Sequence, residues 1–191
     1  GMNNSTFVPP AMGVHVARGH DGYGRPDPRV RPLGSQPTPA GSMFTTADDY
    51  MAFLSYCASD PLLQEQLFRR NTKMSASQFP NLRTDVEQIS WGLGFGVFED
   101  NGRKVAFHWG TNKYSYTFTA LDVLTGDCMA CFTNSENGPN VFRPVAESIV
   151  GKMAPVFEML ETYCSFNPAV YAPVGISSIK DVLILSRVYK R

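Results

Sequence analysis

Residues 104–112 read KVAFHWGTN. Val105, Phe107 and Trp109 alternate with Lys104, Ala106 and His108, the period-two pattern of a strand whose two faces meet different surroundings. Gly110 ends the run. The neighbouring sequence repeats the pattern. Upstream, Trp91, Leu93, Phe95 and Val97 alternate with Gly92, Gly94 and Gly96, which predicts a strand with one large apolar face and one bare face. A bare glycine face implies that another backbone or a helix comes close. The same glycines do not make a phosphate-binding loop, because they fall at every second residue and no helix start follows them. Asp100-Asn101-Gly102 is a tight-turn signal between these two strands. Downstream, residues 115–123 are rich in Thr and aromatics, Thr125-Gly126 marks a turn, and 127–134 (DCMACFTN) reads as a further strand. Four strands with short connections predict an antiparallel meander over 91–134.

Helical patterns flank the meander. Over 47–58, Tyr50, Phe53, Leu54 and Cys57 follow the i, i+3, i+4, i+7 spacing of one apolar helix face, and Thr46 with Asp49 predicts a capping box. Asp60-Pro61 starts a second helix, with Asp as N-cap and Pro at the first helical position. Residues 45–90 are thus expected to be mainly helical, turning polar and irregular over 72–89. After the meander, a helix is expected over 141–153, with Pro144 accommodated in its first turn, and another helical stretch runs from Pro155 to 164. Residues 1–44 carry so many prolines and glycines that they are loop-rich, either lying on a neighbouring surface or disordered. These parts, 1–164, form one domain, and 165–191 is a tail. The fold class is α/β of the α+β type: an antiparallel meander with helices packed on it in two layers.

Composition narrows the function. Lys+Arg and Asp+Glu are equal at 17 each in 191 residues, so no basic field exists to hold nucleic acid or an anionic membrane. No run of 18 apolar residues occurs, so no membrane segment is expected. The N-terminus has no basic region followed by an apolar stretch, so no signal peptide is expected, and Gly1 before Met2 is either a tag remnant or native. Cys128-x-x-Cys131 lies in a strand-like run, where a separation of three puts the thiols on opposite faces, and no second Cys pair or His cluster completes a metal site. The cysteines read as buried free thiols. His15 and His20 share no ligand spacing and read as surface or turn residues.

Four blocks in order carry a resemblance: GMNNSTF near the start, PAGSMFTTADDYMAFL, WGLGFGVF, and FHWGTN followed by YSYTFTALDVLTGDCMACFTNSENG. Together they resemble the C-terminal half of class C β-lactamase-like members of the serine β-lactamase and penicillin-binding family. The resemblance implies a partial β-lactamase/D,D-peptidase-like fold and a chemistry in which a serine attacks an amide or ester carbonyl and forms an acyl-enzyme. Such chemistry uses no metal and no cofactor. It also implies the roles on the opening strand. His108-Trp109-Gly110 is similar to the family's third motif, Lys-Thr-Gly or His-x-Gly. His108 titrates near neutrality, Trp109 and Gly110 line the substrate, and the backbone N–H of Thr111 contributes to an oxyanion hole. Trp109 stands where the family commonly has a hydroxyl, which favours an ester, an amide other than a β-lactam, or no substrate at all. Family members are often exported to the periplasm.

Two family elements are absent from the 191 residues. No Tyr-x-Asn occurs, and the one Ser-x-x-Lys, Ser177 to Lys180, follows the sheet strands instead of preceding them. Ser178 with Asp181 reads more simply as a helix cap. The resemblance therefore implies a missing N-terminal half carrying the nucleophile, and an apolar surface left for that half or for self-association.

Overall fold

The computed structural model describes residues 1–10, 13–28, 37–79 and 85–163. Its order is α1 (Ala47–Ser59), α2 (Pro61–Leu67), β1 (Thr72–Lys73), β2 (Ile89–Trp91), β3 (Gly96–Asp100), β4 (Arg103–Thr111), β5 (Tyr116–Asp122), β6 (Cys128–Thr133), α3 (Pro139–Val150) and α4 (Ala154–Tyr163). The six strands form one antiparallel sheet in sequence order, a continuous meander. The expected meander is present, and it begins earlier than 91. Residues 45–90, expected to be helical, are helical only to Leu67 and then supply β1, β2 and two short 3-10 turns, Ala76–Gln78 and Val86–Gln88.

The WGLGFGV stretch is where the sequence pattern misleads. It is not one strand. Trp91 ends β2 and Gly96 starts β3, paired to each other in register. Residues 92–95 make the turn between them, closed by Gly92 N–H donating to Phe95 O at 2.8 Å, with Gly94 at φ +81°. The bare face still has its predicted cause at Gly92, because the C-terminal backbone of α2 lies where a side chain would stand and Leu93 N–H donates to Leu67 O. Leu93, expected on the apolar face, is 63% exposed.

Helices cover both faces of the sheet, making three layers where two were expected. On one face, Met51, Leu54 and Cys57 of α1 and Phe68 pack against Val97, Ala106, Leu121, Cys128 and Ala130. On the other, Phe142, Ala146 and Val150 of α3 and Val156, Phe157 and Leu160 of α4 pack against Phe98, Val105, Phe107, Phe118, Met129 and Cys131. Strands buried on two faces read as continuous apolar runs, as β6 does over CMACFT, so alternation there does not reveal the second layer. Cys128 and Cys131 fall on opposite faces, as their spacing requires.

Local chemistry explains the element ends. Thr46 Oγ1 accepts from Asp49 N–H, and Asp60 accepts from Leu62 N–H and Leu63 N–H. The Asp49 carboxylate, expected to complete the capping box, instead accepts from Asn4 N–H at 2.7 Å and Ser5 Oγ at 2.8 Å, pinning the GMNNSTF segment to α1. Thr6 and Phe44 then exchange two backbone hydrogen bonds. Asn101 and Gly102 both have positive φ, the turn type that matches the strand twist. α3 begins at Pro139, earlier than expected, so Pro144 lies beyond its first turn. The Arg103 guanidinium donates to the carbonyls of Val150 and Lys152, which ties the start of β4 to the end of α3.

Candidate active site

β4 runs beyond its neighbour. Its pairing with β3 stops at Phe107–Gly96, whereas its pairing with β5 continues through His108–Thr119, Trp109–Phe118, Gly110–Thr117 and Thr111–Tyr116. The parity of the backbone follows from hydrogen bonds at either end: Val123 N–H donates to Lys104 O, and Asn112 N–H donates to Ser115 O. In an antiparallel strand a residue's N–H and C=O point to the same side and alternate along the chain. His108 and Gly110 therefore turn their backbone groups toward β5, and Thr111 turns its N–H toward the edge that β3 does not reach.

Side chains sort by face. His108 shares the α1 face with Ala106, and Trp109 shares the α3/α4 face with Phe107. Trp91 wraps the strand end and touches both, with ring centroids 6.2 Å from His108 and 5.6 Å from Trp109. His108 remains an exposed residue, with the rings of Trp91 and Trp109 crowding one part of its imidazole. Burial lowers the imidazole pKa below its ordinary 6.5, opposed by a hydrogen bond with the Trp109 backbone, so the ring is neutral at neutral pH. A neutral imidazole can accept or donate a proton. On the far side of Trp91, a groove of about 610 Å³ is lined by Thr72, Lys73, Met74, Gln78, Phe79 and Thr162.

Gly110 is bare for a local reason. A side chain there would meet Thr117 Oγ1 at 2.9 Å and, its chain neighbours apart, no other atom of the described residues within 4 Å. Next along β5, the buried Thr119 places its hydroxyl 3.5 Å from His108 O. Burial raises the phenol of Tyr50, on α1, above its ordinary 10.0, and a hydrogen bond with Thr119 pulls the other way.

The adjoining end of the sheet is closed by the N-terminal loop. His20 N–H reaches Asn134 O at 2.8 Å and Tyr114 O at 3.2 Å, its Nδ1 lies 3.2 Å from Asn134 O, and Glu136 N–H donates to His20 O. Gly19 packs against Tyr114 so closely that no side chain would fit. His20, expected as a surface or turn histidine, is thus half-buried in a backbone junction.

The structure brings His108, Gly110 and the Thr111 amide together at one end of β4 and sends Trp109 to the opposite face. Ser177, Ser178 and Lys180 lie outside the described residues. Among the described residues, no group of three His, Cys, Asp or Glu is placed to hold a metal. Sequence reading missed Thr117 and took Tyr50 only as part of an apolar face. The register that places Thr117 against Gly110 was implicit in the short turn at 112–115, but only once that turn is known to be tight.

No curated protein and no solved structure matches the chain. A family model, described as Beta-lactamase, matches residues 1–150 and so takes in the N-terminal loop, α1, the whole sheet and α3. The chain belongs to the Beta-lactamase family.

Proposed function

We propose that this chain supplies one wall of an acyl-transfer site in a β-lactamase-like serine hydrolase acting on an ester or amide, and that the nucleophile comes from polypeptide outside these 191 residues. The observation that carries this reading is the end of β4, where the His108 imidazole stands on the α1 face and the Thr111 N–H points to an edge left open beyond Gly96. An amide held by a strand is a preorganised donor for a developing oxyanion, worth about 3 kcal/mol in comparable sites. The absence of Tyr-x-Asn and the late position of Ser177 to Lys180 support a nucleophile supplied from outside these residues. Completion would come through the missing N-terminal half or through self-association of this chain.

The test is a covalent trap. The chain is incubated with a fluorescent penicillin and with a fluorophosphonate, alone and with a polypeptide carrying a family Ser-x-x-Lys element, and intact masses are read. The expected result is no adduct on the chain alone and an adduct on the added polypeptide that depends on His108. An adduct at Ser177 or Ser178 would instead make the chain a hydrolase in its own right. No adduct under any condition would favour a binding or assembly module built on this fold, a reading that the missing motifs also support.

A further inference from the structure

We propose that the Thr117 hydroxyl is a substrate-binding group of this site, donating a hydrogen bond to an acceptor oxygen of an acyl compound laid across Gly110. This rests on the reading of the β4 end as one wall of an acyl-transfer site. Three observations single out Thr117. It is directly opposite Gly110 in register, so its side chain stands on the face that carries His108. Its other register partner, Phe132, is packed on that same α1 face, against Tyr50 at 5.5 Å. The third concerns how the threonine hydroxyls of β5 and β6 are used. Thr133 Oγ1 donates to Tyr116 O at 2.9 Å, and Thr119 is engaged with His108 O and Tyr50. Thr117 is half-buried, and its hydroxyl has no hydrogen-bond partner among the described residues.

The Thr117 hydroxyl is open to water in the free chain, and a bound acceptor can take that water's place. The bare Gly110 gives that acceptor room, because among the described residues, its chain neighbours apart, only Thr117 Oγ1 lies within 4 Å of where its side chain would be. Trp109 cannot take the role, since its ring is on the other face. A threonine is suited to it, because its branched side chain is stiff and holds the hydroxyl in few rotamers. The ligand class is an ester or amide with a carbonyl or carboxylate oxygen next to the scissile bond.

The experiment is an NMR titration of the nitrogen-15-labelled chain with phenylacetylglycine methyl ester, following the Gly110 and Thr111 amides. In the wild type these two amides are expected to shift saturably. Thr117→Val keeps the shape and removes the hydroxyl, and is expected to weaken binding about tenfold. Thr117→Ser restores the hydroxyl and should return affinity to within about threefold of wild type. Equal affinity in wild type and Thr117→Val overturns the role of Thr117 and leaves the wall reading standing. The absence of any shift at Gly110 and Thr111 in the wild type overturns both.

Discussion

Gly96 faces Phe107 across the β3–β4 pair, and the Phe107 ring lies in the space a side chain at Gly96 would occupy. Trp91, in register with Gly96 on the other side, places its ring 6.2 Å from that of Phe107. The missing side chain lets one large ring span two strands at the point where β3 pairing stops and β4 continues paired with β5. Gly96→Ala should therefore overpack a fully buried ring and destabilise the chain by about 1–3 kcal/mol in urea unfolding. Gly94→Ala, at a turn position with open space around it, tests only the cost of a positive φ. A Gly96→Ala chain as stable as wild type would mean that Phe107 can move aside freely.

The Asp49 tether should give way in acid. Burial pushes its carboxyl up, but hydrogen bonds from Ser5 and Asn4 outweigh that and hold it below the ordinary 3.8. A carboxyl with a depressed folded pKa adds stability that is complete above the unfolded value and is lost as pH falls through the folded one. The Asn4 amide, which donates to Asp49, should change its NMR shift with a midpoint below pH 3.8, and Asp49→Asn should abolish the transition. A wild-type midpoint at or above 3.8 would contradict the tether.

His108 works in the same direction, in a higher pH window and through burial instead of hydrogen bonds. Its folded pKa is lowered, so between that value and the ordinary 6.5 the unfolded chain binds more protons than the folded one. Stability should then rise with pH through that window and decline as the solution is acidified below about 6.5. His108→Gln should flatten this part of the urea-midpoint profile without moving its neutral plateau. An unchanged profile would show that the ring is well solvated.

The sheet thiols should be inert while the chain is folded. Burial pushes Cys128 up to about 11 and Cys131 up to about 12, and Cys57 is raised for the same reason. Thiolate is the reactive form, so in a Cys164→Ser chain at pH 8 a thiol reagent should label these three only as fast as the core opens. Rapid native labelling at Cys128 or Cys131 would mean that one of the two helical layers is loose.

Much of the fold is legible along the chain. Thr46 and Asp60 mark helix starts, Asn101-Gly102 and Thr125-Gly126 mark turns, and the alternation through Val105, Phe107 and Trp109 marks β4, because each is local backbone chemistry that short segments express on their own. The errors have equally local causes. Residues 91–97 alternate like a strand, yet Gly92 meets α2 and Gly94 turns the chain, and both facts depend on what lies far off in sequence. Asp49 looks like half of a capping box until Asn4 and Ser5 arrive from 45 and 44 residues away.

The same division holds at KVAFHWGTN. The sequence by itself determined that His108 and Trp109 face opposite sides of a strand, because side-chain alternation is a property of the strand alone; Gly110, expected to end that strand, is followed in it by Thr111. Only the tertiary structure decided that β3 pairing stops at Gly96, that the Thr111 amide consequently points to an edge with no strand on it among the described residues, and that the Thr117 hydroxyl stands over Gly110. Those relationships are set by register and by which neighbour ends first, and these depend on packing from both faces of the sheet.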